Sequence, residues 1–128
     1  MISLHDHFVR ELSVDADEKQ IRLRTAFPKR SGPSFAEATF EGVEAYVLLG
    51  DALGTILLDV EEVDPIALYE SWKEPLRARL LASGGHAPWV EKTATASRFI
   101  TDKHLKGFAI TSSIGLEGAV WAASLSVR

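Results

Sequence analysis

The sequence predicts an α+β domain in which a twisted, mainly antiparallel sheet of about six or seven strands packs against one kinked helix. Three observations carry this expectation. Apolar and polar residues alternate in short segments at both ends of the chain, as strand side chains do when one face is buried. A single stretch, opened by Asp64-Pro65, instead repeats its apolar residues every three or four positions. Glycine and proline punctuate the rest often enough to allow strong bends, so the sheet is expected to curl toward a partly open barrel.

Taken in order, Phe8 to Val14 alternates and is followed by the polar turn Asp15-Ala16-Asp17-Glu18-Lys19 and by Ile21 to Phe27. This is the pattern of a hairpin. Phe8, Leu12 and Val14 are expected on one face of the first strand, facing Ile21, Leu23 and Phe27. Pro28 to Ser34 forbids a ladder and reads as a loop. A third strand, Phe35 to Phe40, leads through a tight turn at Glu41-Gly42 into a fourth, Val43 to Leu49. Thr55 to Val60 forms a fifth strand, with an Ile56-Leu57-Leu58 core suggesting burial on both faces.

Asp64 is placed to cap a helix and Pro65 suits the first helical position. Ile66, Tyr69, Trp72, Leu76 and Leu80 form its apolar stripe, and Ser83-Gly84-Gly85 ends it. Pro75 lies inside and is expected to kink the helix or split it. The stripe is expected to meet Phe8, Leu12, Leu23, Val47, Ile56, Leu58 and Trp121. Between His86 and Lys103, Pro88-Trp89-Val90 reads as a loop with an anchoring aromatic, and Thr93 to Ile100 as a strand or a short helix, with strand preferred. At the end, Phe108 and Ile110 alternate and Ser113 to Gly118 turns. Ala119, Trp121, Ala123, Leu125 and Val127 are expected on one face of a last strand.

The 128 residues suit one domain, 1–128, large enough to bury a core without staples. No cysteine is present, which rules out disulfides, thiolate nucleophiles and cysteine-held metals. The net charge of −4, from 14 basic and 18 acidic residues, argues against a phosphate backbone as partner, so no nucleic acid is expected. No basic stretch precedes an apolar run at the N-terminus, and no apolar run reaches the ~18 residues of a membrane span. The expected location is therefore cytoplasmic, with no membrane partner.

Few residues offer chemistry. In an extended segment His5 and His7 share a face and could hold one divalent metal, with His86 or His104 as a third ligand. The simpler alternative is a strand start with solvated histidines. The acidic run Asp59 to Asp64 could bind Mg²⁺ or Ca²⁺, but acids ahead of a helix N-terminus need no such explanation. Ser112-Ser113 lacks the strand–elbow–helix context of a nucleophile and fits a turn. Neither a G-x-G-x-x-G nor a G-K-[ST] pattern occurs, and no cofactor is expected. Trp72 and Trp121 read as core residues, whereas Trp89, in a loop, is the candidate for an exposed partner or ligand contact.

Leu4-His5-Asp6 before an alternating strand, Gly42-Val43 entering a later one, and Ser112 to Gly118 before the last together resemble a loose class of small uncharacterised bacterial proteins. Some members of that class are immunity-protein-like. The resemblance covers about a fifth of the chain and carries no catalytic residue. It implies a small, non-catalytic, partner-binding protein. The residues point the same way, to an interaction protein of the toxin-neutralising type, its acidic balance suited to a basic target. The alternative is a metal-dependent enzyme or small-ligand carrier using His5, His7 and nearby acids. Self-association through sheet edges is compatible with either.

Overall fold

The structure, a computed structural model, describes residues 4–83 and 88–128, without the side chains of 58, 80–83 and 88. Among the described residues it is α+β, with eight strands and two α-helices: β1 (Phe8–Asp15), β2 (Gln20–Phe27), β3 (Ser34–Glu41), β4 (Ala45–Leu49), β5 (Ile56–Val63), α1 (Pro65–Ser83), α2 (Thr93–Asp102), β6 (Lys106–Ile114), β7 (Glu117–Ala122) and β8 (Ser124–Val127). The strand count exceeds the six or seven expected, and the helix is not alone.

All strand pairs are antiparallel, in the order β4-β7-β6-β5-β1-β2-β3-β8. The first hairpin forms as its alternation implies, with Leu12 opposite Leu23 and Val14 opposite Ile21. Its turn is held by Asp15, whose Oδ1 accepts the backbone N–H groups of Asp17 and Glu18 at 3.1 Å each. A bulge at Arg10 shifts the phase of β1, however. Val9 and Leu12 therefore pack inward, while Phe8 faces out and is 42% exposed.

Glu41-Gly42 does not make the expected hairpin. β3 pairs with β8, and β4, only three residues on, pairs with β7. Residues 34–49 thus form one long bent strand lying along another, 117–127. The two ends of the sheet are brought together by the chain itself, since Ala123 alone separates β7 from β8. Opposite this corner, β1 meets β5 through Phe8 and Ile56 and through short backbone bonds such as Val9 N–H to the Thr55 carbonyl at 3.0 Å. Strands that switch partners at bulges build such curled sheets.

The curl creates two cores. Inside it lie Leu4, Ile21, Leu23, Phe40, Leu57, Phe108, Ile110 and Val120, with Phe40 and Phe108 edge to face at 5.5 Å. Outside, the helices cover β4, β7 and β6 and bury Tyr69, Leu76, Trp89, Ile100, Val47 and Trp121. The helix stripe therefore meets Val47 and Trp121 as expected, but not Leu12 or Leu23, which point into the curl, nor exposed Phe8. Ile56 likewise belongs to neither cluster. The side chains of Leu58 and Leu80 lie outside the description. The last strand also departs from its alternation: Ala119 and Trp121 face the helices, but past the corner Leu125 and Val127 face inward.

Asp64 caps α1 as expected, accepting the Ala67 N–H at 2.8 Å. α1 runs unbroken through Pro75, which leaves the Ser71 carbonyl without its usual helical donor. Trp121 donates its indole N–H to the Pro65 carbonyl at 2.9 Å, and Gly107 lets Pro65 approach, since a Cβ there would lie 2.8 Å from the Pro65 Cα. Thr93 to Ile100, where the sequence favours a strand over a short helix, is helical. Ala96 and Ile100, one turn apart, are buried, and Phe99 packs beside them.

Candidate functional site

The N-terminal residues make a turn, not an extended segment. Asp6 has φ +63°, the His7 N–H bonds the Leu4 carbonyl at 3.0 Å, and Leu4 is buried in the inner core. The turn separates the histidines. His5 is exposed, 3.5 Å from Asp6 Oδ2, whereas His7 is buried beside Phe27, with Nδ1 2.8 Å from Thr25 Oγ1. Burial pushes the His7 pKa below its ordinary value, and the charge of Lys29 adds to this. His86 lies outside the described residues, and His104 follows the end of α2 with φ +54°. Among the described residues, no group of three or more His, Asp or Glu side chains is placed to hold a metal.

The other sequence candidates serve the backbone. Asp59 Oδ1 accepts the Val60 N–H at 2.8 Å, and Asp64 caps α1. Ser112 donates to the Leu116 carbonyl and Ser113 to the Ile56 carbonyl. Trp89 is not the exposed anchor its loop position suggested. It is 9% exposed and stacks on Phe99 at 4.6 Å, because α2 folds back over it.

What the structure does assemble is an apolar row on the outer side of the sheet. Phe35 is opposite Ala26, Ala26 opposite Phe8, Phe8 opposite Ile56, and Ile56 opposite Ile114. Directly opposed residues project to the same face, so the five side chains cross β3, β2, β1, β5 and β6 in one line. Phe35 and Ile114, at its two ends, are 60% and 63% exposed. Leu53, in the loop just before β5, is 88% exposed.

At the Phe35 end the row meets a hollow of about 260 Å³ lined by Arg10, Glu11, Arg24, Phe35, Glu37 and Arg128. Arg24 pairs with Glu11 at 3.1 Å, and the Arg10 guanidinium lies 4.9 Å above the Phe35 ring. Among the described residues, Arg10 and Arg128 form no side-chain ion pair. Sequence reading missed this row because no contiguous segment contains it. The bulge at Arg10, the β1–β5 seam and the register shift between β5 and β6 beside Ile56 align its members.

No family model, curated protein or solved structure matches the chain. Among the described residues, no helix is long and apolar enough to cross a membrane.

Proposed function

We propose that this chain is a non-catalytic protein-binding module that recognises a partner through the apolar row from Phe35 to Ile114. The observation that carries the reading is the row itself: large apolar side chains left in water on the part of the outer face that the helices do not cover. Exposed apolar patches with an arginine and an aromatic at one end have the composition of interface anchors. The resemblance to immunity-like proteins agrees with this and suggests a toxin as partner. The charge beside the row is locally positive, from Arg10 and Arg128. The complementary patch is therefore apolar with carboxylates, opposite in charge to the basic target suggested by net charge.

The test is capture from an extract of the native host, followed by calorimetry with the purified partner. Wild-type protein binds with defined stoichiometry. Phe35→Glu and Ile114→Glu, whose unfolding midpoints stay at the wild-type value, lose that binding. Equal binding by both variants refutes the reading. So does turnover of a small substrate by protein that captures nothing.

A further inference from the structure

A second concavity lies away from the row, where the two cores meet. It has a volume of about 290 Å³, close to the lower end for small-molecule sites. Its apolar walls are Val14, 46% exposed, with half-buried Val43 and Ala45, over a floor of buried Ile21 from the inner core and Leu76 and Val90 from the helical layer. The polar lining is Asp15, Lys19, Gln20, Glu44, Tyr46 and Arg79. Lys19 Nζ is occupied by Glu44 at 3.3 Å. Asp15 is occupied by the backbone of its own turn.

Arg79 is different. Its guanidinium lies 4.3 Å from the centre of the Tyr46 ring and donates one hydrogen bond to the Tyr46 hydroxyl at 2.9 Å. Among the described residues it has no carboxylate partner. Tyr46 thus holds a planar cation at the pocket, most of whose five N–H donors have no partner among the described residues. A guanidinium fixed in this way is preorganised for a carboxylate, with which it can form two parallel charge-assisted bonds.

From this combination we infer that the hollow binds a small apolar carboxylate, with its hydrocarbon part against Val14, Val43 and Ala45 over the buried floor of Ile21, Leu76 and Val90, and its carboxylate on Arg79. The hydrocarbon supplies affinity through buried area, and the cation selects the head group. An alcohol of the same length fills the walls but leaves Arg79 unpaired. An amine brings like charges together.

Octanoate, octanol and octylamine distinguish these cases in titrations followed by NMR of the valine, leucine and isoleucine methyl groups. Octanoate is expected to shift the methyls of Val14, Ile21, Leu76 and Val90 saturably, and to bind at least about tenfold more tightly than octanol. Arg79→Gln, on an exposed side chain, removes that preference while octanol binding stays unchanged. Val14→Trp fills the hollow and abolishes the methyl shifts for both ligands. Phe35→Glu leaves octanoate binding intact, so failure of the partner-binding reading and failure of this one are told apart. The inference is overturned if octanoate produces no saturable shifts, or if Arg79→Gln binds octanoate as well as wild type does.

Discussion

Nδ1 of His7 lies 2.8 Å from Oγ1 of Thr25, and the same oxygen is 3.3 Å from the Ala36 carbonyl. The hydroxyl has one proton. Once that proton is given to Ala36, the His7 ring must donate from Nδ1, which fixes one neutral tautomer. Protonating the buried ring opposes both desolvation and Lys29, so the folded-state pKa lies below the ordinary 6.5. The unfolded chain therefore takes up the proton first as pH falls. The stabilisation is complete above pH 6.5, declines as pH drops below it, and is fully lost below the folded-state pKa. Urea midpoints measured from about pH 7.5 downward should show this decline in wild type, and a shallower one in His7→Gln. Identical profiles would exclude the linkage. Thr25→Val, which strands the ring N–H, should cost about 1–3 kcal/mol at neutral pH.

Trp121 joins the sheet to the start of α1. It is fully buried, and its indole N–H reaches the Pro65 carbonyl at 2.9 Å. Pro65 stands in the first turn of α1. Trp121→Phe keeps an aromatic ring but removes the donor, and should cost about 1–3 kcal/mol. Trp121→Ala adds a cavity and should cost about 3–5 kcal/mol. Urea unfolding measures both. A phenylalanine variant as stable as wild type would mean that this bond contributes nothing to docking of the helix.

Tyr69 ties α1 to the segment before α2. Its hydroxyl donates to the Val90 carbonyl at 2.6 Å and accepts from Arg77 Nη2 at 3.2 Å. Arg77 Nε is buried with no partner among the described residues. Tyr69→Phe therefore removes the one described hydrogen bond of the Arg77 guanidinium and the donor to Val90, at a cost of about 1–3 kcal/mol. Arg77→Met keeps the apolar stem without the buried polar groups. The double variant should lose less than the sum of the two single losses, because the guanidinium that the first change deprives of its buried hydrogen bond is gone. Strict additivity in a double-mutant cycle would show that the three groups do not act together.

Features that depend on a few neighbouring residues were legible in the sequence. Asp64-Pro65 capped the helix it announced, and the hairpin placed Leu12 opposite Leu23. Features that depend on phase were not. A bulge leaves no compositional mark, yet it moves every later side chain to the other face. That is why Phe8 points outward, and the corner at Ala123 likewise turns Leu125 and Val127 away from the face of Trp121. In α2, the β-branched Thr93 and Thr95 favoured a strand locally, but burying Ala96, Phe99 and Ile100 on one side decided for helix. The apolar row was illegible for a further reason: its five members come from five strands aligned by register.

Gly42 sits at the corner where the sheet's two ends meet, with φ +65°. A Cβ there would lie 2.8 Å from the Cβ of Ala123, an atom with no rotamer to escape into. Gly54 supplies a control, since its φ is +78° but nothing stands within 4 Å of its missing Cβ. Gly54→Ala should pay backbone strain alone, about 1–2 kcal/mol. Gly42→Ala should pay that and the collision with Ala123, for a total of about 2–4 kcal/mol. The excess should also appear locally. Hydrogen exchange at the Arg128 amide, bonded to the Glu37 carbonyl at 3.0 Å, should accelerate in Gly42→Ala more than in Gly54→Ala. Adding Ala123→Gly removes the colliding atom and should recover the steric part of the loss while leaving the strain. If both alanine variants lose the same stability and Ala123→Gly restores nothing, close approach of the two bent strands is not what shapes this corner.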